Sequence, residues 1–230
     1  CVMLTGLSWL ALEVKYLEPA RAFYEKRLGL SVRERGDDEI VATAGETDLV
    51  LRRPSGLPRG GLHTHYAFAI PDDEYDDWWD RLSETHDLEE AQFGPTRSLY
   101  LYDPDGNCVE LGQQAVAGPG IDGIFEVVLE VEALDRARDF YEELGFETVD
   151  EGDDRTRIRL HGPMALELWE PHLGLADARG GVHVDLGFET DQPRAALEAV
   201  RDRVQTVDRE TDDEIVVRDP DGHVLTFLAP

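Results

Sequence analysis

An α+β fold of four βαβββ units, arranged as two tandem halves, is predicted by three observations. Motifs in the first half of the 230-residue chain return in the same order in the second. Apolar periodicity alternates between strand and helix spacing within each half. A turn-forming Asp-Pro-Asp-Gly tetrad stands before the last strand of each half.

The repeat is explicit. Gly6-Leu7-Ser8-Trp9-Leu10-Ala11-Leu12-Glu13-Val14 is echoed by Gly123-Ile124-Phe125-Glu126-Val127-Val128-Leu129-Glu130-Val131. Phe23-Tyr24-Glu25 returns as Phe140-Tyr141-Glu142, each followed by a Leu-Gly step at Leu28-Gly29 and Leu144-Gly145. Gly60-Gly61-Leu62-His63 returns as Gly180-Gly181-Val182-His183, and Asp103-Pro104-Asp105-Gly106 as Asp219-Pro220-Asp221-Gly222. Domains are therefore expected at 1–114 and 121–230. The stretch around Gly118-Pro119-Gly120 is the natural linker.

Each half divides again. Residues 7–14 read as a strand, followed by a helix from about Pro19 to a stop at Gly29, with Ala20, Phe23, Tyr24 and Leu28 as its apolar stripe. Short strands are expected at 31–36, 39–44 and 47–53. The pattern then restarts with a strand at 63–70 and a helix at 73–85 carrying Tyr75, Trp78, Trp79 and Leu82 on one face. Strands near 88–93, 97–102 and 107–112 complete the unit. A large pocket-forming sheet is expected where paired units face each other.

Composition narrows the function. Fifty acids against 22 bases give a net charge of −28, and the acids are spread through every segment. Lys15 and Lys26 are the only lysines. This is the pattern of a surface adapted to very high salt, where the Debye length falls to about 3 Å or less. A nucleic-acid partner is not expected, because phosphates need a positive surface. No apolar run approaches the roughly 20 residues of a membrane span, and Cys1–Leu10 lacks the marks of a secretory signal. A cytoplasmic protein, monomeric or homodimeric, with a small-molecule substrate or ligand is expected. With only Cys1 and Cys108, disulfide scaffolding and a cysteine zinc cluster are not expected. Cys108 shares the face of Glu110, with nothing basic beside it to activate a thiol.

The residues Leu12-Glu13-Val14 before Phe23-Tyr24 and Leu28-Gly29-Leu30, the run Gly61-Leu62-His63-Thr64-His65-Tyr66-Ala67-Phe68, and Asp103-Pro104-Asp105-Gly106-Asn107-Cys108-Val109-Glu110-Leu111 resemble the vicinal oxygen chelate superfamily. That superfamily includes glyoxalase I, bleomycin and fosfomycin resistance proteins and ring-cleaving dioxygenases. The resemblance covers nearly the whole chain and implies two tandem glyoxalase/dioxygenase-like domains. It fixes a reaction far less well than a fold.

The resemblance also implies four inward-facing metal positions per domain. In the first half these fall on Trp9, Val50, His65 and Glu110, of which only His65 and Glu110 can ligate. His63, two residues before His65, is expected by alternation to share its face and to be a third ligand. In the second half the positions fall on Glu126, Glu167, Asp185 and Thr226. Glu126, Glu167 and Asp185 form an alternative, carboxylate-rich site for a hard cation, or they pair with arginines such as Arg157 and Arg159. Tyr100 stands before Glu110 at the spacing where ring-cleaving enzymes place an active-site tyrosine. Because the two halves no longer carry the same inner residues, one main site is expected, preferably in the first half.

Two functions compete. One is a metal-dependent enzyme of glyoxalase or dioxygenase type, using a divalent Fe, Mn, Zn or Mg ion on a small oxygen-chelating substrate such as an aromatic diol. The other is a metal-free protein sequestering a flat aromatic ligand, with Trp9, Tyr66, Trp78, Trp79, Tyr100 and Tyr102 as stacking surface. No organic cofactor site is expected; the glycine-rich segments read as turns.

Overall fold

A computed structural model describes residues 4–54, 61–152, 156–171 and 183–230, without the side chains of residues 34, 35, 183 and 184. The Gly180-Gly181-Val182 segment of the repeat lies outside the described residues. Four βαβββ units follow one another. The first holds β1 (Gly6–Glu13), α1 (Leu17–Ala22), β2 (Ser31–Arg35), β3 (Glu39–Ala44) and β4 (Thr47–Arg52). The second holds β5 (His63–Pro71), α2 (Tyr75–Ser83), β6 (Glu89–Phe93), β7 (Thr96–Tyr102) and β8 (Cys108–Gln114). The third holds β9 (Ile124–Glu130), α3 (Leu134–Glu143), β10 (Glu147–Glu151), β11 (Arg157–His161) and β12 (Ala165–Trp169). The fourth holds β13 (His183–Glu189), α4 (Pro193–Val200), β14 (Thr206–Glu210), β15 (Glu214–Arg218) and β16 (Val224–Leu228). Past Ala22 the α1 helix continues as one π-helical turn, Phe23–Arg27. That turn carries Tyr24 into the core, and Gly29 ends the segment at φ 76°, a left-handed position suited to glycine.

The units pair across the halves, not within them. One eight-stranded sheet runs β14-β15-β16-β13-β1-β4-β3-β2 and joins the first and fourth units. The other runs β10-β11-β12-β9-β5-β8-β7-β6 and joins the second and third. The seams are antiparallel, β1 against β13 and β5 against β9. Each sheet thus takes one unit from either half of the sequence repeat. Sequence periodicity sets the strands of a unit but not which edge strand it meets.

What ties each half together is the helix layer and its core. One continuous apolar cluster reaches from one sheet to the other, with Tyr24, Tyr66, Phe68, Phe140, Tyr141 and Phe188 among its members. Two of the repeated motifs meet inside it. The Tyr24 hydroxyl donates to Asp103 Oδ2 at 2.7 Å, and Tyr141 donates to Asp219 Oδ2 at 2.9 Å. The other oxygen of each aspartate accepts two backbone N–H groups of its own turn: Asp105 and Asn107 in the first half, Asp221 and His223 in the second. The tetrad is therefore a turn whose buried carboxylate docks onto the tyrosine of the neighbouring unit. Burial, opposed by these hydrogen bonds, raises the Asp103 pKa. Tyr24→Phe is expected to cost about 1–3 kcal/mol, because it removes a donor from a buried carboxylate. Thermal unfolding of the variant beside Tyr141→Phe measures it, and equal losses are expected from the two matching sites.

Tyr66 and Trp78 lie in this core, 0% and 4% exposed, and offer no stacking surface to a ligand, contrary to their expected role. No helix among the described residues is long and apolar enough to cross a membrane.

Candidate metal centre

The pairing across halves regroups the eight inner positions. The four central strands of the second sheet, β12-β9-β5-β8, carry Glu167, Glu126, His65 and Glu110. Register sets their spacing. Ala67 on β5 is flanked by Glu126 on β9 and Glu110 on β8, so the two carboxylates straddle a small side chain. One pleat further along, Val128 is flanked by His65 and Glu167. Cross-strand partners share a face, so all four side chains project from the same side of the sheet.

His65, Glu110 and Glu126 converge, all buried, with one donor atom each lying within 4.8 Å of the others. Nε2 of His65 is 3.2 Å from Glu110 Oε2 and 3.6 Å from Glu126 Oε1. Despite the proximity, Glu110 Oε2 and His65 Nδ1 have no hydrogen-bond partner. Three buried donors aimed at one point, an imidazole nitrogen and two carboxylates, fit a divalent cation. Burial alone would lower the His65 pKa. Hydrogen bonding and charge from Glu110 and Glu126 outweigh it and raise the group to about 9. The metal-free site therefore holds a proton where a cation would compete. A raised folded pKa stabilises the fold fully below the unfolded value near 6.5, and that contribution is lost as pH rises through about 9. Metal-free protein is thus expected to lose melting temperature between pH 6.5 and 10 by more than His65→Ala does over the same range.

Glu167 is engaged elsewhere. It accepts from Arg159 at 2.6 Å, from Trp169 Nε1 at 2.7 Å and from Arg157 at 3.4 Å, while Arg159 also pairs with Glu126. Arg157 makes a further bond to Asp150 at 2.7 Å. The arginines are thus second-half partners of the carboxylates, as the sequence allowed, and they line the same cavity of about 500 Å³ as His65 and Glu110. Phe93, Phe125, Tyr100 and Trp169 give that cavity aromatic walls. The Phe125 ring rests over Gly112, where a Cβ would come within 2.7 Å of it.

Tyr100 lies beside Glu110, its register partner, and its ring meets His65 edge to face at 5.6 Å. Burial first, then the charge of and hydrogen bond to Glu110, hold its phenol far above its ordinary pKa. The phenol therefore stays protonated beside Glu110. Cys108 is buried beside Tyr100, and burial and Glu110 push its thiol up to about 12, so it is inert packing.

Two expected ligands lie elsewhere. A register irregularity between His63 and His65 places His63 opposite Leu129, a residue of the main core, and its ring packs at 5.8 Å on Tyr66. Simple alternation put both histidines on one face; the bulge turns His63 to the other. Asp185 does not join Glu126 and Glu167, because β13 pairs with β1. It accepts from Trp9 Nε1 at 2.8 Å and from Thr226 Oγ1 at 2.9 Å in the first sheet. The sequence reading missed that Glu126 is a neighbour of His65, because it does not reveal which units pair.

A family model described as the Glyoxalase/Bleomycin resistance protein/Dioxygenase superfamily matches residues 6–111. A metallothiol transferase FosB of Staphylococcus epidermidis is 28% identical over 116 residues, covering 47% of this chain and 84% of the relative. A glutathione transferase FosA of Serratia marcescens is 28% identical over 114 residues, covering 47% and 81%. Among solved structures, a putative dioxygenase from Bacillus subtilis superposes with a TM-score of 0.76 at 17% identity, covering 100% of this chain and 86% of that one. Glyoxalase I from Zea mays gives 0.69 at 18% identity, covering 97% and 92%. At these identities the structural likeness carries the fold. The family model matches just under half of the chain, within its first half.

Proposed function

From that superfamily and this geometry we propose that the chain is a metal-dependent enzyme with one main site, shared between its halves. His65, Glu110 and Glu126 would hold a divalent cation. The observation that carries the reading is the convergence of the buried His65, Glu110 and Glu126, with one donor atom of each within 4.8 Å of the others. A bound cation would act as a Lewis acid, polarising an oxygen of a small substrate that offers two adjacent oxygens. One imidazole nitrogen with carboxylate oxygens suits Mn²⁺, Zn²⁺ or Fe²⁺ better than a soft-metal site.

The surrounding residues supply binding and orientation. Arg157 and Arg159, held by Glu167, face the cavity as cationic donors and suit an anionic substrate group. Phe93, Phe125 and Trp169 exclude water from the remainder. Tyr100 positions Glu110. A two-histidine iron triad needs a second imidazole, and His63 faces the core. The set therefore favours glyoxalase- or transferase-type polarisation over oxygen activation.

The test is metal content and chelator binding. Protein purified without chelator is expected to carry one divalent ion per chain. Acetohydroxamate, a small bidentate oxygen ligand, is expected to bind the metal-loaded protein and not the stripped one. Equal binding to both forms would contradict the proposal.

A further inference from the structure

The first sheet carries a second cavity of about 470 Å³ over its central strands, lined by Trp9, Asp185 and Thr226. These occupy the positions that Glu126, His65 and Glu110 hold in the other sheet, and Val50 takes that of Glu167. Every metal ligand here has been replaced or engaged. Trp9 Nε1 and Thr226 Oγ1 both donate to Asp185, the one carboxylate left among these positions. Val50 packs beside the indole.

The replacements are complementary in shape. Trp9 faces Gly187 across the β1–β13 seam, and a Cβ at Gly187 would lie 2.3 Å from Cε2 of the indole. The matching pair in the other sheet is Glu126 with Ala67. The glycine lets the indole lie flat on the sheet as the floor of the cavity. Opposite it, Val216 stands at the register position that Tyr100 fills in the other sheet: Val216 pairs with Thr226 as Tyr100 pairs with Glu110. A smaller residue on the wall, an aromatic floor and no ligand set make this cavity a different kind of receptor.

Its rim is electrically balanced. Arg52 pairs with Glu39, Arg209 with Glu214, and Arg218 with Asp208 at 3.3 Å. With the three arginines each facing a carboxylate and Asp185 below, the lining carries no excess positive charge to attract an anion.

We propose that this cavity is a second, metal-independent binding site for a flat aromatic molecule, neutral or cationic, stacked on the Trp9 indole. Stacking on a fixed indole adds to the gain from burial, with a cation–π attraction for a positive ring.

The test uses proflavine, a planar cationic heteroaromatic, titrated into the full chain in about 1 M salt, where attraction to the acidic surface is screened. Saturable binding of one proflavine per chain with quenching of tryptophan emission is expected. Val216→Tyr, which copies the side chain the other sheet accommodates, is expected to weaken binding at least tenfold, and His65→Ala to leave it unchanged. Gly187→Ala, which drives a methyl into the indole, is expected to weaken it likewise and serves if Val216→Tyr fails to fold. Absence of saturable binding, wild-type affinity in the folded variants, or loss of binding in His65→Ala overturns the proposal.

Discussion

Glu126→Gln is expected to strip the protein of its metal as completely as His65→Ala, although the two residues come from opposite halves of the repeat. Both donors converge on the same buried point, 3.6 Å apart across the β5–β9 seam. Loss of an outer partner of a metal ligand typically costs 10–100-fold in affinity, so loss of a direct donor should exceed about 100-fold. Asp185→Asn, at the position matching His65, should leave metal content unchanged, because that carboxylate is already bonded to Trp9 and Thr226. Glu167→Gln separates the roles further. It weakens the hold on Arg157 and Arg159 and should impair acetohydroxamate binding while metal is retained. Metal analysis of the four purified variants decides the matter. Retention in Glu126→Gln with loss in Glu167→Gln would reassign the third ligand.

Transfer from molar to about 10 mM salt is expected to lower the melting temperature by more than about 10 °C. The Debye length grows from about 3 Å to about 30 Å over that range, so charges across the whole surface begin to repel one another. With 50 acids and 22 bases, arginine pairing leaves a net −28 that no internal ion pair can cancel. Exposed pairs such as Arg194–Asp212 offset little of that repulsion. For a chain this size, 10 °C corresponds to several kcal/mol, a large part of ordinary stability. Calorimetry in sodium chloride from 10 mM to 3 M measures it. A melting temperature independent of salt would refute adaptation to high salt.

Strands and helices were legible because each follows its own period. β3 spans the six residues expected of it, 39–44, and the expected helical face of Tyr75, Trp78 and Leu82 is buried. The inner positions were legible too, since the Asp-Pro-Asp-Gly turn fixes the phase of β8 and hence of Glu110. Two features escaped. Strand pairing between units depends on which edges meet in space, and the shared pattern of the four units makes pairing within and across halves equally consistent with the sequence. The bulge beside His65 changes the phase of one residue, and alternation cannot foresee it. Both errors had one consequence: two partial ligand sets were read where the chain folds them into one mixed site and one aromatic cavity.

The central claim is a single centre built from both halves around one imidazole. X-ray absorption spectroscopy of protein loaded with one equivalent of Zn²⁺ or Mn²⁺ tests it most directly. The account predicts one tightly held ion per chain with a first shell of one imidazole nitrogen and otherwise oxygen, lost in both His65→Ala and Glu126→Gln. Two tight ions per chain, or a shell with two imidazoles, would contradict it.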